Sequence, residues 1–334
     1  MTGIILSRRS TGPGHGSIGQ VPGLLPVAGR YRVIDFVLSN LVAGGISHIG
    51  VLCGRDYPAL SAYLAGGRDW DLDRRQGGIA YLDPGSEARQ PGTVSLQSYL
   101  ERQSSAYGVL CSCDGMYSLD LGQVLVSHLA SGHDLTAVIA GQGSVGPKRV
   151  ILCILSRDLL LQCLTSGVPL DDWLQSPDQL PAALNGRTIT HNLYWYPGPF
   201  LEFRTQEELL QNNLSVLEPW IWAQLFGPDR PVFTRPQDGP PAFWGEDSIC
   251  ENSLVSGLCR IEGKLTQSVL SRGVTIGPGA RVRQCLLLDG ARVGENAELD
   301  RVIVGPGVAV PANARLRGRP GHPIQLTKGA NHLI

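Results

Sequence analysis

The chain has 334 residues with 28 Lys or Arg against 29 Asp or Glu, and no basic run or basic helix face, so the electrostatic footprint of a nucleic-acid-binding protein is missing. No apolar run approaches the roughly 18 residues of a membrane span, and the N-terminus places Arg8 and Arg9 after its short apolar stretch, the reverse of a signal peptide. The expectation is a cytoplasmic protein of two domains with separate cores, partnered by neither nucleic acid nor membrane.

The first half alternates short β-branched or Leu-rich runs with amphipathic segments. GIILS, FVLSNLVAGG, HIGVLCG and PALSAYLAGG follow one another in a βαβ rhythm. A further strand is expected over Tyr107 to Cys111, then a helix over LGQVLVSHLASG with Leu121, Val124, Leu125, His128 and Leu129 on its apolar face, then the strand DLTAVIAG. This predicts an α/β domain, Rossmann-like with a mainly parallel sheet, over residues 1–217.

Near its start the sequence offers Gly14, His15, Gly16, Ser17, Ile18 and Gly19, a GxGxxG match with Asp35 at about the distance of a ribose-binding acid. The context argues against dinucleotide binding. Too many residues separate the strand GII from the first glycine, and Pro22 with Gly23 denies the helix whose N-terminus should meet a pyrophosphate. A Gly/Ser loop is the better account.

From residue 218 to 245 the texture changes to EPWIWAQLFGPDRPVFTRPQDGPP and its flanks, whose prolines are expected to deny regular helix or interior strand. This is read as a linker, with Trp220, Trp222, Phe226 and Phe243 as candidate anchors. Residues 246–334 then show a six-residue period: Ile276-Gly277-Pro278-Gly279-Ala280-Arg281, Val293-Gly294-Glu295-Asn296-Ala297-Glu298, Val304-Gly305-Pro306-Gly307-Val308-Ala309 and Val310-Pro311-Ala312-Asn313-Ala314-Arg315. Aliphatic residues fall at 276, 282, 288, 293, 299, 304, 310 and 316, which predicts the inward column of a parallel β-helix with coils from about Ile249 to Leu316. Small residues belong at the corners of such coils.

Eight cysteines are too few for a disulfide scaffold in a chain this long, and Cys53, Cys111 and Cys153 sit in apolar runs. They read as reduced core residues. The seven histidines form no metal-ligand spacing, and Cys111 and Cys113 lack a nearby His, so no structural metal is expected. No His lies between His191 and His322, so the coils lack the base that β-helix acyltransferases commonly use.

The stretch Leu24 to Asn40, LLPVAGRYRVIDFVLSN, with AGGISHIGVLCG after it, resembles the ADP-glucose pyrophosphorylase (glucose-1-phosphate adenylyltransferase) family. In that family a phosphate-cradling loop leads to [KR]-Y-R-[IVL]-I-D-F-x-L-S-N; here Arg30, Tyr31, Arg32, Asp35, Ser39 and Asn40 match. CDGMYSLDL at 113–121 resembles the family's G-D-H-[IV]-Y-x-x-D block, with Asp114 where the family serves metal and phosphates. A third block, from Asn213 to Val282, follows the family's linker and helix in order. The resemblance implies a nucleotidyltransferase domain followed by a left-handed β-helix, and a place in glycogen synthesis.

The departures bear on chemistry, because nucleotidyl transfer rests on electrostatic positioning. Where the family has A-G-G-x-G-x-R-L, this chain has Ser7-Arg8-Arg9-Ser10, and where it has R-A-K-P, this chain has about Gln20-Val21-Pro22-Gly23. The segment carrying E-K-P, whose Lys meets the sugar phosphate, is deleted, leaving Lys148 nearby. The second metal carboxylate, expected in Y-W-x-D-V-G-T, faces Tyr194-Trp195-Tyr196-Pro197-Gly198 with no Asp; Glu202 is read as a polar strand residue that takes that role only if the register shifts. The resemblance then points to the GlgD-type branch, which has lost catalytic residues and pairs with the catalytic subunit. On this reading Asp114 is vestigial and no catalytic or metal site is intact. Mg²⁺ enters only with residual activity. The partner is a catalytic pyrophosphorylase subunit in a hetero-oligomer, with a sugar-phosphate or nucleotide effector as a second ligand. The enzyme alternative keeps weak sugar-1-phosphate nucleotidyltransferase activity through Asp114, Glu202 and Arg8 or Arg9; a second alternative is a β-helix acyltransferase.

Overall fold

The computed structural model describes residues 1–7, 21–73, 77–83, 91–141, 148–167, 170–236 and 238–328. The GxGxxG match, Arg8, Arg9 and Gln20 lie outside the described residues. Strand β1 (Thr2–Leu6) is followed by a tight two-strand ribbon, β2 (Pro26–Val27) and β3 (Tyr31–Arg32), and by helix α1 (Val33–Ala43). Next come β4 (His48–Leu52), α2 (Tyr57–Leu64), β5 (Gly78–Asp83), β6 (Val94–Ser95), α3 (Leu96–Glu101), β7 (Tyr107–Ser112), β8 (Gly115–Met116) and α4 (Leu121–Ser131). The domain closes with β9 (Leu135–Ala140), β10 (Arg149–Ser156), α5 (Arg157–Thr165), α6 (Leu170–Trp173), β11 (Ala183–Leu184), β12 (Arg187–Thr188), β13 (His191–Trp195), β14 (Leu201–Glu202) and α7 (Gln206–Ser215).

Eight strands form one sheet in the order β13-β9-β10-β7-β1-β4-β5-β6. Only β10 runs antiparallel, against both β7 and β9. The strands are apolar on both faces because helices cover both: Ile5 enters one core with Val33, Val37 and Leu41 of α1, while Ile4 and Leu6 enter the opposite core with Leu159 and Leu160 of α5. The helices begin on readable caps. Asp120 accepts from Gln123 N–H ahead of α4, Ser156 from Leu159 N–H ahead of α5, and Thr205 and Glu208 form a capping box on α7. Leu129, assigned by periodicity to the buried face of α4, is 54% exposed, because the helix lies near the sheet's outer strand and that face runs past its edge.

The expectation that prolines deny helix beyond residue 218 is overturned. Helix α8 (Pro219–Leu225) stands there with Pro219 at its first turn, where a missing N–H costs nothing. Ile221 and Leu225 are buried from it.

The C-terminal region is a left-handed β-helix of three parallel five-stranded sides. The first side carries Phe243–Trp244, Arg260–Ile261, Thr275–Ile276, Arg292–Val293 and Ala309–Val310. The second carries Ile249–Glu251, Lys264–Thr266, Arg281–Arg283, Glu298–Asp300 and Arg315–Arg317; the third runs from Leu254–Val255 to Ile324–Leu326. The coils thus extend beyond both ends of the predicted range. Asn252, Gln267, Gln284, Asn296, Arg301 and Asn313 share the corners with glycines and hold φ between 39° and 60°. The inward column contains Ile276, Val282, Val293, Leu299, Val304 and Val310, as the period predicts. Leu288 is a correction: Leu287 faces inward in its place, and Leu288 joins the core of the first domain. Leu254, Val269, Leu286, Leu288 and Ile303 all pack into that core, so the third side is the seam between the two domains.

Candidate functional site

A nucleotidyltransferase places its chemistry beyond the C-terminal ends of the parallel strands. Asp114 lies there, in the bend between β7 and β8, and its carboxylate accepts a hydrogen bond from the Ser112 hydroxyl. Strand β14 pairs antiparallel with β8, setting Glu202 opposite Gly115, and Phe203 N–H donates to the Asp114 carbonyl at 3.0 Å. The structure therefore brings Asp114 and Glu202 together. Burial is the largest cause raising the pKa of both carboxyls; that of Glu202 reaches about 7, with the Asp114 charge adding to the rise and Arg149 opposing it.

Two arginines hold Glu202. Arg149 Nε, at the start of β10, stands 3.2 Å from one carboxylate oxygen, and an Arg204 Nη stands 3.3 Å from the other. Glu208 accepts Arg204 N–H at 2.7 Å. Arg149, Arg204 and Glu208 were absent from the sequence reading, although the Thr205-x-x-Glu208 capping box was legible as a helix start. Mg²⁺ would need these carboxylate oxygens turned toward one point and released from their present partners. Asp114 is engaged by Ser112, and each Glu202 oxygen is faced by a guanidinium. Among the described residues no group of three or more His, Cys, Asp or Glu side chains is arranged to hold a metal. Lys148, the remaining cation of the shortened segment, is exposed and lies 5.1 Å over the Trp195 ring.

Ser7 and Cys113 are buried, and a Cβ on Gly23 would meet Cys113 Sγ at 2.9 Å and Ser7 Oγ at 3.2 Å.

The other family-matching residues sit elsewhere, at the domain seam. Asp35 is fully buried and accepts Arg32 N–H at 2.8 Å, the Thr234 hydroxyl at 2.6 Å and the Tyr63 hydroxyl at 3.0 Å. Burial raises its pKa to about 6 against the pull of those donors. Ser39 Oγ accepts Phe233 N–H at 2.8 Å, and Trp70 Nε1 donates to the Phe233 carbonyl at 3.1 Å. Asn40 donates to the Phe36 and Tyr117 carbonyls and accepts Leu119 N–H. Tyr31 packs among Phe36 and Phe226, with exposed Arg30 over its ring. Arg32 pairs with Asp289 of the β-helix at 2.7 Å. Tyr31, Arg32, Asp35 and Ser39 thus hold the linker and the coils at α1, whereas the contacts of Asn40 stay within the first domain.

Of the candidate anchors, Phe226 is committed to that aromatic cluster and stacks on Trp222 at 4.3 Å, whereas Trp220 and Phe243 are 61% and 51% exposed. Seven described cysteines, Cys53 among them, are buried and free; Cys250 alone of the eight is exposed. No described helix is long and apolar enough to cross a membrane.

Domain order, sheet and coils define a nucleotidyltransferase-type domain joined to a hexapeptide β-helix. Residues 242–318 match the GlmU-like C-terminal hexapeptide family. The chain is 28% identical over 314 residues to the glycogen biosynthesis protein GlgD of Bacillus subtilis strain 168, covering 92% of this chain and 89% of that protein. It is 27% identical over 325 residues to the glucose-1-phosphate adenylyltransferase of Bacillus cytotoxicus, covering 86% of each. The corresponding enzyme of Bacillus anthracis is 25% identical over 330 residues, 88% of each. The chain is therefore similar to GlgD and to the glucose-1-phosphate adenylyltransferases along most of its length.

Proposed function

We propose that this chain serves glycogen biosynthesis as a regulatory, non-catalytic relative of glucose-1-phosphate adenylyltransferase, acting on a catalytic subunit. The observation that carries this reading is the engaged carboxylate pair: Glu202 is spanned by Arg149 and Arg204, and Asp114 accepts a hydrogen bond from Ser112. A cation that shields a transferring phosphoryl group would have to displace the guanidiniums that face both Glu202 oxygens. The contrast with the seam supports the same reading, since Arg32, Asp35 and Ser39 are engaged in holding the β-helix and the linker, while Asn40 ties α1 to the segment from Tyr117 to Leu119. Selection for architecture with loss of chemistry is what a partner subunit requires.

Regulation of a partner needs differential binding to its active form; a tenfold change in its substrate affinity corresponds to about 1.4 kcal/mol of coupling. The test is co-expression with the cognate catalytic subunit, size-exclusion chromatography and kinetics. Co-elution with a changed kcat or KM is expected, and no ADP-glucose synthesis from this chain alone. Separate elution with unchanged constants would end the regulatory reading. Mg²⁺-dependent turnover by the chain alone that disappears in Asp114→Ala would restore the enzyme reading, with Asp114 and Glu202 as its carboxylates.

A further inference from the structure

The last three coils on the second side of the β-helix alternate in charge, although one coil earlier Lys264 stands in register with Arg281. Arg281 and Arg283 stack on Glu298 and Asp300, which stack on Arg315 and Arg317, through the registers Arg281↔Glu298↔Arg315 and Arg283↔Asp300↔Arg317. Asp300 pairs with Arg283 at 2.8 Å and with Arg317 at 3.5 Å, and Glu298 lies 4.0 Å from Arg315. Opposite charges on adjacent parallel strands stabilise the ladder, and like charges would oppose it. The middle residues Leu265, Val282, Leu299 and Leu316 continue the aliphatic column, the last of them only partly covered.

The ladder stops on a basic row. Among the described residues Arg315–Arg317 is the terminal strand of its side, hydrogen-bonded to a neighbour along one edge only. Its two arginines are 80% and 82% exposed, and a groove of about 460 Å³ runs over the last three rows. Sheet edges recruit strands unless something blocks them. Arginine at both outward positions repels a basic segment and attracts an acidic one.

We propose that the open edge of Arg315–Leu316–Arg317 is a docking site for an extended protein segment of the pattern acid–aliphatic–acid. The segment adds a sixth strand to this side. Its two carboxylates take the places that Glu298 and Asp300 hold one coil earlier, and its aliphatic residue covers Leu316. The commitment to an acidic segment follows from the alternation itself. The site is independent of the Asp114–Glu202 region and of the regulatory reading.

The chain supplies its own probe, because residues 295–302 (ENAELDRV) already form the acidic row beside this strand. A fluorescently labelled ENAELDRV peptide should bind the full chain saturably by anisotropy, and more weakly as salt rises. ENAKLKRV should bind at least about tenfold more weakly. Arg315→Glu with Arg317→Glu should reverse that preference, and Arg315→Gln with Arg317→Gln should abolish it, each variant first checked for an unchanged circular dichroism spectrum. If charge reversal unfolds the coils, the neutral pair carries the test. Equal binding of both peptides, no saturable signal, or complete displacement of the peptide by an equal concentration of inorganic pyrophosphate would each overturn the proposal, the last by marking the groove as a phosphoryl site.

Discussion

Asp35 holds three hydrogen-bond donors on one carboxylate where water does not reach, and the cost of that burial exceeds what the donors return. Its pKa stands at about 6 against an ordinary 3.8. The folded state therefore binds the proton more tightly than the unfolded chain. This group's contribution is complete below about pH 3.8 and is lost as pH rises through about 6. The gap is worth about 3 kcal/mol at most. Glu202, raised from 4.5 to about 7, acts in the same direction over a slightly higher window. Urea unfolding of the intact chain should show stability falling between these limits, and Asp35→Asn should remove about 2 kcal/mol of that fall. An unchanged pH slope in Asp35→Asn would show that Asp35 titrates normally. Asp35→Ala should remove the same pH dependence and also cost about 2–4 kcal/mol at low pH, because Tyr63, Thr234 and Arg32 N–H lose their acceptor.

At the scale of elements, hexapeptide periodicity gave the inward register almost throughout, and the one slip has a physical origin. Leu286, Leu287 and Leu288 are chemically alike, so a count of aliphatic residues does not distinguish the one that faces the column from those that face the other domain. The prediction at this scale is Ile276→Asp, which buries an unpaired carboxylate in a column position with no exposure. It should cost several kcal/mol and unfold the coils. A cooperative melt at the wild-type temperature would mean that this side chain reaches solvent. Helix caps were equally local. Thr205→Ala should cost about 1 kcal/mol through loss of its bond to Glu208 N–H, readable as a lower denaturation midpoint.

At the scale of the whole molecule, the two domains share one apolar core across the third side of the β-helix, and α1 is its organiser. Gly29 lies at the closest approach, with φ of 75°, and an added Cβ would meet Ser256 Oγ at 2.7 Å and the Leu270 carbonyl at 3.3 Å. Gly29→Ala should therefore destabilise by about 1–3 kcal/mol and loosen the seam. A single cooperative transition in scanning calorimetry should separate into two. Retention of one wild-type transition would place the seam's strength elsewhere. The Arg32–Asp289 pair contributes less. Asp289 is 41% exposed, so a double-mutant cycle should return no more than about 1 kcal/mol.

The sequence by itself determined whatever short-range periodicity encodes: the alternation of strands and helices in the first domain, the caps, and the coil repeat with its inward residues. It also carried the family motif from Arg30 to Asn40 and the absence of an Asp in the Tyr194–Gly198 stretch. It did not determine what those residues touch. Asp35 reads only as a match to the family motif until Thr234, 199 positions away, is found bonded to it. Glu202 reads as an ordinary strand residue until β14 pairs with β8 beside Asp114 and the turn before α7 delivers Arg204. Helix α8 shows the limit of local rules as well, since a proline excludes helix only where its N–H is needed. Contacts between distant segments depend on how the layers pack, and no spacing along the chain records that. Only the tertiary structure decided that Glu202 comes to lie beside Asp114 between two arginines, and that Arg32, Asp35 and Ser39 of the motif serve the seam.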